Sequence, residues 1–463
     1  MRGSSIGFVR VLATDDQAAG GAGGDDDYDR SSDREEREGC LGPRGTFCWL
    51  GRFRGMVAIR LRTFARGVGL VLAVGLVLAG ESSARGVVWS VHFTPPPGGA
   101  MPGVSCVSAN RCEVVGGVGS VWGRGMGWDG KRWRLQATPD PDPARAKGLR
   151  YYDFLGGVSC TSRKLCVAVG GYATRIGSPD GVHLVPSDMP LAERWNGVRW
   201  SLLAFPGLPA GGQLGELDAV SCTSARACVA VGRFYVNSSD QDVAELLAEG
   251  WNGRKWSVQA MPAPAGVAQP SISGLSCSSN SFCMAVGFSD LGPVSEMFAW
   301  RWDGTSWSVQ SIPQIAGAVD VELPSVSCTS PRTCTAVGDY YDSSQTSRTL
   351  AERWNGTAWT VQRIPNARGA ANFLKAVSCT SSRACTAVGW TLVRLELVGG
   401  RPHWSWKPLV ESWDGARWSL ERTPGAHDVS LNAVSCTLST TCTAIGSGPG
   451  HAVAAQSAAR ARK

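Results

Sequence analysis

Fourteen of the 16 cysteines recur as seven pairs with the spacing C-x5-C. The pairs are Cys106/Cys112, Cys160/Cys166, Cys222/Cys228, Cys277/Cys283, Cys328/Cys334, Cys379/Cys385 and Cys436/Cys442. Zinc needs four ligands, and these cysteines come as isolated pairs without a recurring histidine. Redox catalysts use C-x-x-C, which is absent from the sequence. The pattern therefore predicts a set of local disulfides, with no metal and no cofactor, and we assign all fourteen cysteines to these disulfides.

Each cysteine pair lies in the phrase V-S-C-x5-C-x-A-V-G, with one Ser directly before the first cysteine. A Gly follows the second cysteine by four positions in every copy. Short β-prone runs around a polar turn predict a hairpin, here called strands A and B. Directly opposite residues in a non-hydrogen-bonded pair lie ~4.5 Å apart at Cα, which is within disulfide range.

A second phrase, W-[N/D]-G-x-x-W, follows six of the seven cysteine pairs. It occurs at Trp128/Trp133, Trp195/Trp200, Trp251/Trp256, Trp302/Trp307, Trp354/Trp359 and Trp413/Trp418. Asn-Gly and Asp-Gly favour two-residue hairpin turns. With Asn196-Gly197 as the turn, Trp195 would pair with Val198, and Glu193 with Trp200. The phrase thus predicts strands C and D, with both tryptophans on one face for packing between sheets.

Seven units of four strands predict an all-β fold, a seven-bladed β-propeller. Successive first cysteines are 51 to 62 residues apart. The last unit lacks a strand D, and "GVVWSVHF" before the first unit resembles one. We therefore expect the strand at Val87–Thr94 to complete the sheet of Val434–Cys436 and Cys442–Gly446, because a closed ring needs this exchange and an open spiral does not.

This organisation resembles WD40 and kelch-type propellers, in which strands from both termini share one blade, although their own signatures are absent. The motifs V-S-C-T-S-x-x-x-C-x-A-V-G and W-N-G-x-x-W are more similar to those of uncharacterised exported bacterial repeat proteins. The resemblance covers residues 86–446 and implies no known activity.

The N-terminal region predicts export. From Met56, three arginines precede an apolar run from Val68 to Ala79, followed by small residues. This is typical of a signal peptide over residues 56–84, and an uncleaved anchor is the alternative. Residues 1–55 are predicted to be disordered, with translation starting near Met56. The propeller is assigned to residues 86–457 and a tail to 458–463, and Cys40 and Cys48 have no assigned role.

Candidate binding residues lie in the B–C and D–A connections, which vary in length, whereas the A–B and C–D turns do not. Aromatic residues follow the strand-B glycines, and the sixth unit adds two tryptophans. Charged residues precede strand A, where the units differ at Asp218, Ser273, Pro324, Lys375 and Asn432. We predict a ligand-binding face from Tyr172, Phe234, Phe288, Tyr340, Trp390, Trp404, Trp406, Glu216, Asp218, Glu322 and Lys375. Packing aromatics and solvated loop charges are the alternative interpretation.

The formal net charge of +7 is mild, and the basic residues show no cluster along the chain, so we expect no nucleic-acid partner. None of the five histidines has a motif partner that would complete a nucleophilic triad. The sequence favours a secreted or cell-surface, monomeric binding or scaffold module for a glycan or a protein at the cell envelope. A propeller-type glycan hydrolase or lyase, with carboxylates at the channel mouth, is the alternative.

Overall fold

The structure is a computed structural model that describes residues 87–94, 101–118, 122–141, 153–177, 184–238, 241–267, 269–289, 295–398, 401–423, 427–449 and 451–459. These residues form seven four-stranded antiparallel sheets and no helix. The sheets are the blades of a closed β-propeller, as predicted. The proposed signal segment at 56–84, residues 1–55, Cys40 and Cys48 lie outside the described residues.

The first three blades run in chain order from the innermost strand A to the outermost strand D. Blade 1 contains β2 (Gly103–Ser108), β3 (Arg111–Val118), β4 (Trp122–Trp128) and β5 (Trp133–Gln136). Blade 2 contains β6 (Asp153–Ser162), β7 (Leu165–Gly177), β8 (Leu184–Trp195) and β9 (Trp200–Leu202). Blade 3 contains β10 (Gly212–Ser224), β11 (Ala227–Ser238), β12 (Gln241–Trp251) and β13 (Trp256–Val258).

The next three blades repeat this order. Blade 4 contains β14 (Ser271–Ser279), β15 (Phe282–Ser289), β16 (Glu296–Trp302) and β17 (Trp307–Gln310). Blade 5 contains β18 (Ala318–Ser330), β19 (Thr333–Asp342), β20 (Ser347–Trp354) and β21 (Trp359–Val361). Blade 6 contains β22 (Ala371–Ser381), β23 (Ala384–Val398), β24 (Arg401–Trp413) and β25 (Trp418–Leu420).

Blade 7 closes the ring with strands from both ends of the chain. It contains β26 (Ser430–Leu438), β27 (Thr441–Gly448), β28 (His451–Ala459) and β1 (Val87–Phe93) as its outermost strand. The strand β1 pairs antiparallel with β28 over its whole length, from Val87↔Ala459 to Phe93↔Val453. The prediction of a shared closing blade is therefore confirmed. Among the described residues no helix is long and apolar enough to cross a membrane.

Every cysteine pair in the described residues forms the predicted local disulfide. Each links residues six positions apart with a Cα–Cα distance of 3.9 or 4.0 Å. In blade 3, Cys222 and Cys228 lie directly opposite each other across β10 and β11. Gly232 follows in β11, where an added Cβ would collide with the carbonyl oxygen of Glu216 in strand A. The same close approach occurs in blades 2 to 7 and explains the glycine that ends the phrase there.

The second cysteine of each disulfide is buried in the core. The buried cysteines are Cys112, Cys166, Cys228, Cys283, Cys334, Cys385 and Cys442. Strand B lies between strands A and C, and its cysteine packs against the adjacent blade. Sγ of Cys112, for example, lies 3.6 Å from Oγ1 of Thr443 in blade 7, and Sγ of Cys385 lies 3.6 Å from Oγ1 of Thr335 in blade 5.

Four of these buried cysteines lie where neighbouring blades pack together. Cys112, Cys166, Cys334 and Cys385 belong to four different hydrophobic clusters, each of which combines two adjacent blades. Their disulfides therefore staple hairpins whose inner faces pack against the neighbouring blade, as the local pairing predicts.

The C–D turns differ from the prediction. Trp195 pairs with Trp200 and not with Val198, so four residues form the turn. Oδ1 of Asn196 accepts hydrogen bonds from the backbone N–H groups of Val198 and Arg199, both at 2.9 Å. Only Gly197 has a positive φ, at 96°. The side-chain acceptor stabilises a wider turn, and a two-residue Asn-Gly turn is therefore wrong here.

The altered register keeps the two tryptophans on one face, as expected, and brings them closer. They are direct cross-strand neighbours with ring centroids 5.3 to 5.9 Å apart in all six copies. The second tryptophan of each pair is buried, and it packs in core clusters that combine two adjacent blades. These tryptophans therefore hold neighbouring blades together.

The serine before each first cysteine connects the blades. Its Oγ accepts a hydrogen bond of 2.9 to 3.0 Å from the backbone N–H of the first cysteine in the next blade. The series closes because the N–H of Cys106 in blade 1 donates to Ser435 in blade 7. We call this closed series of seven serines the serine belt. It supplies acceptors for backbone N–H groups on the open edge of the innermost strands, where no neighbouring strand pairs with them.

Candidate functional site

The two ends of the propeller have different loops. In blade 3, Cys228 pairs with both Cys222 and Trp251, and Trp251 pairs with Trp256. The A–B and C–D turns therefore lie at one end of each blade, here called the turn face. The B–C and D–A connections lie at the opposite end, here called the variable face. The same registers recur in blades 2 to 6, so the assignment of the loops to two ends holds around the ring.

A central cavity of about 210 Å³ is lined by the innermost strands of all seven blades. Four positions before each first cysteine, the lining residues are Pro102, Gly156, Asp218, Ser273, Pro324, Lys375 and Asn432. The next position in each blade is Gly, Ala or Ser, and these small residues leave the space open. The positions that differ between units, and from which a site was predicted, thus meet around one axis.

Asp218 faces this cavity from blade 3. Its neighbours are Glu216 and Arg233, which form an ion pair with 2.6 Å between Nε of Arg233 and Oε1 of Glu216. The carboxyl group of Asp218 accepts no hydrogen bond from any part of the chain that the structure describes. Burial, and then the Glu216 carboxylate, raise its pKa to about 7, against the opposing effect of Arg233. Asp218 can therefore exchange a proton near neutral pH.

A second ion cluster lies between blades 5 and 6. Nζ of Lys375 lies 2.7 Å from Oε2 of Glu322 and 3.5 Å from Oδ1 of Asp339. Burial alone would lower the pKa of Lys375, but Asp339 and Glu322 outweigh it and raise that pKa. Burial raises the pKa of Asp339 to about 7. The predicted residues Glu322 and Lys375 are thus brought together, in a different cluster from Glu216 and Asp218.

An aromatic cleft of about 570 Å³ lies on the variable face between blades 6 and 7. It is lined by Trp390 and Trp406 on one side and by Asp428, Ser430 and Ser447 on the other. The two indole rings are perpendicular, with centroids 4.9 Å apart. Trp390 also stacks on Phe373 at 3.9 Å, and Lys375 lies 5.5 Å from the Phe373 ring. The cleft therefore adjoins the ion cluster of blades 5 and 6.

Asp428 is positioned by the loop that enters blade 7. Its backbone has a positive φ of 59°, and its N–H donates to the carbonyl oxygen of Trp406 at 2.8 Å. Trp406 is 44% exposed and lines the cleft. Trp404, on the same strand, is equally exposed, but it is not part of the cleft lining. The cleft thus offers an accessible ring opposite a carboxylate and two hydroxyls.

The other predicted aromatics lie closer to the core. Phe234 is buried in the cluster shared by blades 2 and 3. Tyr172 and Tyr340 are half-buried and pack against core clusters. Phe288 is half-buried in β15. The structure therefore gathers Trp390 and Trp406 into one site, and leaves the remaining aromatics at separate blade ends.

Several residues of these sites were not predicted from the sequence. Asp339 and Arg233 directly follow the strand-B glycine, one residue before the aromatic position that was chosen. Their position directly before a chosen aromatic residue could have identified them from the sequence. Asp428, Ser430 and Ser447 belong to two different segments, and the packing of blade 7 beside blade 6 places them next to Trp406. The described residues contain no group of three or more His, Cys, Asp or Glu side chains arranged to hold a metal.

Comparisons with known proteins show the fold only. No protein-family profile matches the sequence, and no curated protein matches it. A polysaccharide lyase of family PL25, an ulvan lyase bound to -[GlcA(1-4)Rha3S]-, has a TM-score of 0.51 and 8% identity, covering 78% of this chain and 94% of its own. YCF48 bound to a D1 peptide has a TM-score of 0.47 and 13% identity, over 80% and 97%. The fucose-specific lectin from Aleuria aurantia has a TM-score of 0.40 and 12% identity, and the match covers 70% of this chain and 96% of the lectin.

Proposed function

We propose that this protein is an exported, disulfide-stapled β-propeller that binds a glycan in the aromatic cleft between blades 6 and 7. The proposal rests on the exposed ring of Trp406, which lines a cleft of about 570 Å³ together with Asp428, Ser430 and Ser447. Indole faces pack on the apolar faces of sugar rings. Carboxylates and hydroxyls form hydrogen bonds with sugar hydroxyls, and the volume falls in the usual range for ligand pockets.

The local disulfides support a location outside the cytoplasm, where such bonds persist. In this proposal residues 56–84 act as the signal peptide, and an uncleaved anchor is the alternative. The ring is closed by β1 and the serine belt, so the walls of the cleft are rigid before a ligand arrives. A preorganised site loses little conformational entropy on binding, which suits a binding module.

The experiment is a glycan array with the oxidised protein, followed by calorimetric titration of the tightest ligand. We expect Trp406→Ala to weaken binding by about 2 kcal/mol, or about 30-fold, because a central aromatic contact is lost. Asp428→Asn should weaken it as well, since Asn tolerates the positive φ but carries no charge. Trp404→Ala is the matched control, with equal exposure on the same strand, and should retain binding.

Two results would contradict this function. If no glycan binds, or if Trp404→Ala weakens binding as much as Trp406→Ala, the cleft is not the glycan site. A specific observation also favours a second candidate, a glycan hydrolase or lyase, because the free carboxyl of Asp218 faces the central cavity with a pKa near neutrality. Cleavage of a polysaccharide that is lost in Asp218→Asn or Glu322→Gln would replace the binding function with this one.

A further inference from the structure

The turn face carries exposed basic residues on three adjacent blades. The C–D turns of blades 1, 2 and 3 contain Lys131, Arg132, Arg199, Arg254 and Lys255, and all five side chains are exposed. The corresponding turns of blades 4 and 5 contain no basic residue, and that of blade 6 contains Arg417, whose Nε lies 3.7 Å from Oδ2 of Asp414 in the same turn. The basic residues are far apart in the sequence, and the repeat places them at equivalent positions of neighbouring blades.

The A–B turns add to the same surface. Arg163 and Lys164 in blade 2 and Arg226 in blade 3 are exposed, whereas the A–B turns of blades 5 and 6 each contain one exposed arginine, Arg332 and Arg383. The A–B and C–D turns of a blade lie at the same end, as the pairing of the cysteines with the first tryptophans requires. Blades 1, 2 and 3 are direct neighbours through the serine belt. The eight side chains therefore form one arc, here called the basic arc.

Little negative charge opposes the basic arc. Asp129 is the carboxylate within these turns, and its Oδ1 accepts the backbone N–H groups of Lys131 and Arg132. Its Oδ2 lies 2.9 Å from Nε of Arg134. The Arg134 side chain, and then the two backbone donors, hold the pKa of Asp129 far below its usual value. Asp129 is thus matched mainly by Arg134 and more weakly by Arg132, whose Nε lies 4.0 Å from Oδ2, and the other seven side chains of the arc face no carboxylate within these turns.

Two exposed apolar side chains accompany the arc. Val198, in the C–D turn of blade 2, is 83% exposed, and Leu438, beside the A–B turn of blade 7, is 62% exposed. Blade 7 adjoins blade 1 through the hydrogen bond from Cys106 to Ser435. Exposed apolar side chains beside a basic surface fit a lipid bilayer, which has negative headgroups and an apolar interior. They fit a hydrated anionic polymer less well.

We propose that the basic arc docks this protein onto the surface of an anionic lipid bilayer. Each Lys or Arg near such a surface adds electrostatic attraction, and Val198 and Leu438 insert between the headgroups as a second signal. This proposal does not depend on the glycan-binding function. Docking through the turn face directs the variable face, with its cleft and cavity, away from the membrane.

The test is co-sedimentation of the full chain with vesicles of phosphatidylcholine alone or with about one third phosphatidylglycerol. We expect Arg163→Gln/Lys164→Gln/Arg199→Gln to bind the anionic vesicles at least about tenfold more weakly. The matched control is Arg363→Gln/Arg368→Gln/Arg422→Gln, which removes the same charge from exposed residues outside the turns. All variants share the same N-terminal segment, so differences between them report on the turn face. Equal melting temperatures would establish that the variants are folded.

Val198→Ser tests the choice of partner. The proposal expects Val198→Ser to weaken binding to anionic vesicles and to leave binding to soluble dextran sulfate unchanged. Equal binding to neutral and anionic vesicles would overturn the proposal, and so would an equal loss in the control triple variant. If Val198→Ser has no effect and dextran sulfate binds more tightly than the vesicles, the arc recognises a soluble polyanion and the bilayer proposal is wrong.

Discussion

At the scale of single residues, the Asn or Asp of the C–D turn acts as a backbone acceptor. In all six copies its Oδ1 accepts the N–H groups of the residues two and three positions later. The following glycine has a φ between 91° and 104°. The turn geometry therefore requires a side-chain oxygen acceptor followed by glycine. Asn and Asp both supply that acceptor, so either residue fits the turn.

Asn196→Ala should destabilise the protein by roughly 1 to 2 kcal/mol, because two backbone donors lose their acceptor. Asn196→Asp should change the stability little, since Asp occupies this position in blades 1, 4 and 6. Urea unfolding followed by tryptophan fluorescence measures both variants. An equal loss in Ala and Asp variants would mean that the amide contributes through its donor group and not through Oδ1.

At the scale of the element, the third strand of four blades buries a glutamate two positions before its tryptophan. These are Glu193, Glu249, Glu352 and Glu411. Both carboxyl oxygens of Glu249, Glu352 and Glu411 lack a hydrogen-bond partner among the described residues. Burial raises the pKa of Glu249 to about 7 and those of Glu352 and Glu411 to about 8. The charged form is disfavoured because nothing replaces its hydration.

These glutamates should make the propeller less stable as the pH rises. Below the ordinary pKa of 4.5 both the folded and unfolded states are protonated; between 4.5 and about 7 the unfolded state releases the proton of Glu249 first. The free energy of unfolding therefore falls through this window and then levels. Glu249→Gln should match the wild type at pH 4 and exceed it by roughly 1 to 3 kcal/mol at pH 8.

The control for this prediction is Glu245→Gln, on the same strand but exposed. It should leave the pH dependence of unfolding unchanged, measured by urea titrations at a series of pH values. If Glu249→Gln and the wild type lose stability in parallel as the pH rises, Glu249 has a partner in solution that keeps its carboxylate charged.

At the scale of the whole molecule, the ring is closed by one short strand and one hydrogen-bonded belt. Trp89 of β1 is 3% exposed and packs in a cluster with residues of blades 6 and 7. A separate cluster joins Met101 and Met126 of the first unit to Ile445 and Ala454 of blade 7. Closure therefore depends on apolar burial at the outer strand and on the belt at the axis.

Trp89→Ala should destabilise the whole propeller by about 3 to 5 kcal/mol, because a buried indole is removed from the closing blade. Val88→Ala, one residue earlier and 50% exposed, should cost less than about 0.5 kcal/mol. Thermal unfolding by circular dichroism measures both. A small effect of Trp89→Ala would show that the ring remains closed without the packing of β1 on β28.

The amino-acid sequence alone predicts the repeat, the local disulfides, the four strands of each blade and the exchange of a strand between the chain ends. These follow from short-range rules: two cysteines around a five-residue turn can only face each other, and a missing strand D must be supplied from elsewhere. The C–D register was predicted incorrectly because Asn-Gly fits two turn lengths. The acceptor role of Asn196 is visible only when the backbone is folded.

The packing of the blades brings together the side chains that share a site, and this packing is not visible in the sequence. Trp390 and Trp406 face Asp428 and Ser447 because blade 7 packs beside blade 6. The packing of neighbouring blades also buries the second cysteine of every disulfide, which the spacing of the pair does not encode. The basic residues of blades 1 to 3 form an arc because the blades surround one axis, although the sequence shows no cluster. The packing of successive blades juxtaposes residues that are distant in the sequence, and no local pattern encodes which of them carries the charge or the ring that completes a site.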